Sequence, residues 1–545
     1  MHLFAYPFAC LVAGWIGRAA CQSPPASQPP SGEWLGWGAD VFNNRWASAG
    51  SSVDSSNAAS LVETCTKSYR LGVSATAVVK DGIAYYPTWD GRYVALNYKD
   101  CSTLWEVNVT ALALKSGPAP LSYIQAVSRT SAAIDGDVLY FGTQAHALLV
   151  AVVRSSGKVI DSIQLNPHPM AIISQSPTVW KGIVYVGCSS LEELAAALIP
   201  NYECCSFKGN FAAITLDRKS RRLSVLWNQA MIPKDSVFSG VGVWGGQPSI
   251  DANRQQVFIA TGNVYSLPPS AAACQNQTQN TPGLQRDPCT PPHVYAEAML
   301  AFDLTTGLLN WANQLGPLDA WNVACFAGVL NPASCPAHPG PDADFGMAPT
   351  FVPGSAHTPH GKDTLVIGQK NGILYALSAQ AGTIFWALPT SPGGVTGGLI
   401  WGLAVDDAAI YYTAVNTQRV SWRLKGASTN ISNSAFGAAS LSDGTILWDT
   451  QSPLDSLAEA APTVVNDVVF TGRTGVIGPM GPGSLAGGGG LIALDKKTGV
   501  ILRDYPLPKE FFGNAAVVGR YVLFGDGYST NKNGTGTFNV WRVGH

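Results

Sequence analysis

The chain has 545 residues, 46% of them hydrophobic and only 12% charged, with a formal net charge of −2. That hydrophobic share excludes a disordered chain, and the near-neutral balance excludes nucleic acid as a partner, which requires a basic face. The 57 glycines and 36 prolines fit a fold with many tight turns.

In chain order, residues 1–21 read as a secretory signal peptide. The run from Leu3 to Ile16 is mostly apolar, and Ala19-Ala20-Cys21 supplies small residues for cleavage. A membrane anchor is the alternative, for which the run is short. Residues 22–32, rich in Pro, Ser and Gln, read as a linker, and residues 33–545 as one folded domain. No later stretch is apolar enough to cross a bilayer, so the expectation is a secreted protein with no membrane span after signal cleavage.

The folded part repeats one phrase: a small apolar strand end, a polar turn with Gly, then a strand ending in Trp. Copies run over 95–105, 301–311, 376–386 and 438–448, with Arg503 replacing Trp in the copy at 493–503 and weaker copies at 151–161 and 213–227. Such a period marks a repeat architecture. Asn371-Gly372, Asp81-Gly82, Asp135-Gly136 and Asp443-Gly444 sit beside short apolar runs, a hairpin signal because the turn favours positive φ. No long helical period intervenes. The predicted fold is therefore all-β, a β-propeller of eight four-stranded blades, with seven as the alternative. The tail 511–543 supplies strands of a last blade, which the segment around Trp34–Trp46 is expected to complete.

Without Cys10 and Cys21, nine cysteines remain. Local pairs Cys274–Cys289, Cys325–Cys335 and Cys65–Cys101 are plausible, while the adjacent Cys204 and Cys205 are open between two unrelated thiols and one small ring. Sequons at Asn108, Asn276, Asn430 and Asn533 agree with a secreted glycoprotein. There is no Cys-x-x-Cys-His motif, so no covalent haem is expected.

Five segments carry a resemblance: Ser189-Ser190-Leu191-Glu192-Glu193, Cys204 to Gly209, Thr261-Gly262-Asn263, Leu315 to Cys325, and Gly368 to Gly372. In that order they resemble the pyrroloquinoline quinone (PQQ) dehydrogenases, closest to the polyvinyl-alcohol-dehydrogenase-like branch. The resemblance implies PQQ, a flat tricarboxylate quinone, and Ca2+, which takes oxygen ligands. It implies Glu192, Asn263 and Asp319 as metal ligands, Asp319 as the general base, and Lys370 as the catalytic donor to the quinone oxygens. Trp244 would floor the cofactor, a Cys204–Cys205 disulfide would stack on its other face, and Arg129, Ser174 and Ser189 would bind its carboxylates and carbonyls. Leu318 stands where His often precedes the catalytic Asp, and Asn322 replaces a second Asp. Taken singly, each residue has an ordinary alternative, such as a solvated acid for Glu192 or an exposed turn lysine for Lys370. The implied activity is oxidation of a small or polymeric alcohol, with electrons leaving to a separate acceptor. The alternatives are a catalytically silent propeller that binds protein or glycan, and a sugar dehydrogenase using the same cofactor.

Overall fold

The computed structural model describes residues 32–47, 50–120, 124–278, 285–475, 488–528 and 534–544. The expected signal peptide and nearly all of the linker lie outside these residues, as do Asn533 and the Asn276 side chain. Eight antiparallel sheets follow one another in chain order, giving the eight-bladed propeller. Blades 1 to 7 occupy 78–108, 133–164, 178–230, 249–314, 350–389, 404–451 and 463–506. Blade 8 joins the C-terminal strands to the early strand Leu61–Arg70, which pairs with Thr535–Val543 and closes the ring. No described helix is long and apolar enough to cross a membrane.

The repeated phrase is an inter-blade dock. Trp105 donates its indole N–H to the Arg154 carbonyl of the next blade at 2.9 Å. Trp227, Trp311, Trp386 and Trp448 do the same to Leu304, Ala379, Leu441 and Lys496. Each ring lies over the turn glycine of the blade it meets: a Cβ on Gly307 would fall 2.6 Å from the Trp227 ring, and Gly157, Gly382, Gly444 and Gly499 are equally crowded by their tryptophans. These glycines also hold φ near +70°, so the position demands Gly twice over. The weak copy at 151–161 ends in Asp161, which accepts the Leu223 N–H of blade 3 instead.

The ring seam uses a covalent version of the same dock. Trp105 follows a one-residue bulge in its strand, and Cys65 follows the equivalent bulge in Leu61–Arg70. Cys101 stands at the turn-glycine position of blade 1, with φ of 67°. The Cys65–Cys101 disulfide therefore joins blade 8 to blade 1 where a tryptophan would otherwise lie over a glycine. The expected pairs Cys274–Cys289 and Cys325–Cys335 are also present.

The segment around Trp34–Trp46 does not complete blade 8. Ala39, Asn43 and Arg45 take positive φ, which no continuous strand allows. The segment instead crosses the axis along the innermost strands. It bonds Val79 of blade 1, Ile250 of blade 4, Phe351 of blade 5, Val405 of blade 6 and Val464 of blade 7. Arg45, fully buried, donates to Pro462 O, Trp37 O and Thr463 Oγ1 and lies over the Trp34 and Trp37 rings. Burial pushes its guanidinium down to about 9, so it remains charged at neutral pH.

Removing the seam disulfide, by Cys65→Ala with Cys101→Ala, should lower stability by about 3–4 kcal/mol, given its 36-residue separation. Hydrogen exchange should then accelerate first in Leu61–Arg70 and Thr535–Val543, and denaturant unfolding measures the loss.

Candidate active site

The segments that lead into the innermost strands and leave the second strands gather at one end of the axis. Arg129, Ser174, Trp244 and Trp401 precede the first strands of blades 2, 3, 4 and 6, while Ser189, Asn263 and Lys370 end or follow the second strands of blades 3, 4 and 5. All seven line one cavity of about 140 Å³. A smaller cavity of about 60 Å³ shares Arg129, Ser174 and Trp401, and adds Trp37 of the axial segment. The short strand Ala171–Ile172 pairs with Ser189 and Ser190 and fixes that part of the wall.

The cavity has a cationic end. The Arg129 guanidinium lies 4.9 Å from the Trp401 ring and 5.6 Å from both Trp89 and Tyr528. Among the described residues it has no ion-pair partner, so an anion would find an aromatic-framed donor fork there.

The other end is a cluster of acids around one lysine. Lys370 Nζ lies 3.0 Å from both oxygens of Asp342 and 3.6 Å from Asp344, and 5.1 Å from the Trp244 ring centroid. Burial alone would lower the Lys370 ammonium, but Asp342, Asp344 and Glu193 hold it above its ordinary range. Burial pushes the Asp342 carboxyl up, and the ammonium pulls it back. Asp344 accepts from the Asn263 N–H at 2.5 Å and the Trp244 indole at 3.0 Å. Glu193, raised to about 7 by burial and by the charge of Asp344, faces the same space.

Asn263 is the informative residue of the cluster. It is 1% exposed, and its Nδ2 donates to Val264 O at 3.1 Å and Trp321 O at 2.9 Å. Among the described residues its Oδ1 has no hydrogen-bond partner. A buried acceptor left open in a polar cavity calls for a donor or a cation. No three His, Cys, Asp or Glu side chains converge on one point among the described residues. A cation would therefore draw on the Asn263 amide together with Glu193 and Asp344, an oxygen-only set that fits Ca2+.

Of the residues singled out in the sequence, Arg129, Ser174, Ser189, Trp244, Asn263 and Lys370 line this one cavity, and Glu192 and Asp319 do not. Both Glu192 oxygens are engaged elsewhere, by the Ser206 and Phe207 N–H groups at 2.8 Å and by Tyr202 Oη at 3.0 Å, and the cavity face goes to Glu193. Asp319 lies behind the wall, 2% exposed, with Oδ2 on the Ala343 N–H at 2.6 Å. Burial raises its carboxyl, and the neighbouring Glu297 carboxyl stands well above the usual range for the same reason. Cys204 and Cys205 are joined to each other, but neither lines the cavity. Leu318 is a core residue, 4% exposed. Glu193 stood in the Ser189–Glu193 motif as the substitute for Glu192, whereas Asp342, Asp344 and Trp401 escaped the sequence reading. The available signal was Asp342-Ala343-Asp344, two acids spaced by two in a Gly- and Pro-rich loop.

A family model, PQQ_2, described as outer membrane protein assembly factor BamB, matches residues 53–199 and 296–526. Polyvinylalcohol dehydrogenase of Pseudomonas sp. is 26% identical over 402 residues, 71% of this chain and 56% of that protein. Quinohemoprotein alcohol dehydrogenase ADH IIB of Pseudomonas putida is 26% identical over 334 residues, covering 59% and 44%. The chain thus spans only about half the length of these curated relatives. Among solved structures, a quinohemoprotein alcohol dehydrogenase from Comamonas testosteroni has a TM-score of 0.67 at 16% identity, covering 95% of this chain and 82% of that one. A europium-containing methanol dehydrogenase has 0.62 at 14%, covering 94% and 98%. Both are likenesses of fold.

Gly262 is where the acid cluster is most tightly built: a Cβ there would lie 2.7 Å from Asp344 Oδ1. Gly262→Ala should push Asp344 off the Asn263 N–H while leaving the blades intact. A crystal structure of the variant, with far-ultraviolet circular dichroism for the fold, checks this.

Proposed function

The chain belongs to the PQQ_2 family, and from that footing we propose that it is a secreted PQQ-dependent alcohol dehydrogenase. The observation that carries the reading is the Oδ1 of Asn263, without a hydrogen-bond partner among the described residues and buried beside Glu193 and Asp344 in a cavity whose other end holds Arg129. The residues fit both groups. Glu193, Asn263 and Asp344 would hold Ca2+. Arg129, Ser174 and Ser189 would hold the carboxylates and carbonyls of PQQ, with Trp244 and Trp401, whose rings meet edge to face at 5.5 Å, as the aromatic part of the wall. When bound, PQQ supplies a two-electron acceptor for hydride, and Ca2+ supplies the positive charge that polarises it.

The chain's own residues divide the remaining work. Asp342, with both oxygens 3.0 Å from Lys370 Nζ, takes the proton of the alcohol hydroxyl; burial raises its carboxyl and the ammonium opposes that rise. Lys370 keeps its proton and presents a fixed donor where negative charge builds. Its distance from both Asp342 oxygens couples base and donor through one ion pair. Asp344 keeps Trp244 in place through the indole N–H. Asp319 supports this arrangement from behind through the Ala343 N–H, between Asp342 and Asp344.

Similarity to the polyvinylalcohol dehydrogenase favours a secondary or polymeric alcohol. Without a haem motif, a separate acceptor would take the electrons. Glycosylation at the exposed Asn430 would suit export.

Reconstitution with PQQ and Ca2+, followed by dye reduction with primary, secondary and polymeric alcohols and with aldoses, tests the proposal. Bound PQQ with no dye reduction on any alcohol would overturn it in favour of a silent scaffold, and reduction by aldoses alone in favour of a sugar dehydrogenase. Asp342→Asn should lower kcat by about 10²–10⁴-fold with PQQ retained, and Asp319→Asn should cause a smaller loss. Full activity in Asp342→Asn would remove it as the base.

A further inference from the structure

Glu192 is 0% exposed, and its neighbour Glu193, not itself, lines the cavity. A buried carboxylate needs donors on both oxygens, and here they all come from blade 3 and the loop leading into it. Oε1 accepts from Tyr202 Oη at 3.0 Å, the Ser206 N–H at 2.8 Å and Ser206 Oγ at 3.3 Å, and Oε2 from the Phe207 N–H at 2.8 Å. His168 Nε2 stands 3.4 Å from Oε1 and 3.1 Å from Ser206 Oγ. Burial would raise this carboxyl, but His168 and the two N–H groups hold it below its ordinary range.

The donors bracket the Cys204–Cys205 disulfide. Tyr202 lies two residues before it, and Ser206 and Phe207 follow it directly. A single carboxylate therefore ties both ends of the disulfide dipeptide to the start of the helix Glu192–Leu198. The opposite side is tied by Asn322, whose Nδ2 reaches Cys204 Sγ at 3.7 Å and Tyr265 O at 3.0 Å. Tyr265 lines the cavity. The Tyr202 carbonyl also accepts from Asn331 and Ser334 of the loop closed by Cys325–Cys335.

We propose that Glu192 is a positioning residue: its carboxylate clamps the Cys204–Cys205 loop against the cavity wall and, by fixing the first helical turn, sets Glu193 toward the cavity. The clamp itself needs no cofactor. Its value for holding PQQ rests on the function proposed above.

The test uses the full chain without added PQQ or Ca2+. Dithiothreitol reduces the protein, alkylation traps the thiols, and peptide mass spectrometry follows each disulfide separately. Glu192→Gln removes the charge that the donors share. Cys204–Cys205 reduction should accelerate roughly tenfold or more, as loss of hydrogen bonds to a charged acceptor implies. Tyr202→Phe, a milder change that deletes one donor, should accelerate it less. Cys65–Cys101 and Cys274–Cys289 should keep their rates in both variants, and Glu193→Gln should leave Cys204–Cys205 unchanged. An unchanged rate in Glu192→Gln would overturn the clamp. So would parallel acceleration of Cys274–Cys289, which would signal general destabilisation, or an equal effect from Glu193→Gln. Because no cofactor is present, this result and that of the reconstitution fail independently of each other.

Discussion

The propeller depends on each blade recognising the next, and here recognition is an indole N–H meeting a turn carbonyl over a glycine. A blade buries its flat faces only against neighbours, so four strands alone have no stable core. Tryptophan suits the dock because it joins a large apolar face to one donor at its edge. The partner glycine follows from the same geometry: it must take positive φ and leave room for the ring. Repeated five times, this contact sets the rotation between successive blades. At the seam the strand comes from the other end of the chain, and the dock becomes a disulfide in the same register. A covalent link suits that place, because closing the ring brings together segments more than 400 residues apart in the chain and carries the largest loop-closure entropy.

A closed ring also decides where a site can form. All innermost strands begin at one end of the axis, so short loops from blades 2 to 6 converge there although their residues span 129–401. The axial segment occupies the channel alongside those strands, held by the buried Arg45 and by bonds to five blades. Trp37 of that segment reaches the lining of the smaller cavity. The same N-terminal stretch that fails as a strand thereby limits the site's depth, because its positive-φ residues let it turn across the axis rather than lie in a sheet.

The blade count and the local disulfides were legible because they rest on short-range pattern: Trp eleven residues into a phrase, Gly at a fixed offset, cysteines a short loop apart. The ring-closing strand was misplaced because Leu61–Arg70 carries no copy of the phrase, while Trp34 and Trp46 imitate one. Position alone identifies it, since Cys65 fills the tryptophan slot without resembling tryptophan. In the site, the resemblance named Arg129, Trp244, Asn263 and Lys370, which line one cavity, and also Glu192 and Asp319, which do not line it. A one-residue change of direction at the helix start separates Glu192 from Glu193, and no spacing rule resolves one residue at a strand-to-helix turn. Asp342 and Asp344 were hidden because the loop closed by Cys325–Cys335 separates them from the Leu315–Cys325 motif.

Satisfaction of buried polar groups separates Glu192 from Asn263 in this site. Glu192 has its two oxygens occupied by five donors and belongs to the architecture. Asn263 is almost equally buried, its amide nitrogen occupied by two carbonyls, yet its oxygen has no hydrogen-bond partner among the described residues, and the residue lines the cavity. Folding gains nothing from an acceptor left in that state, because an unpaired buried oxygen destabilises by about 1–3 kcal/mol. The surrounding contacts nevertheless hold the amide in the one orientation that keeps the oxygen open. Under the function proposed above, a cation held with Glu193 and Asp344 would complete that oxygen.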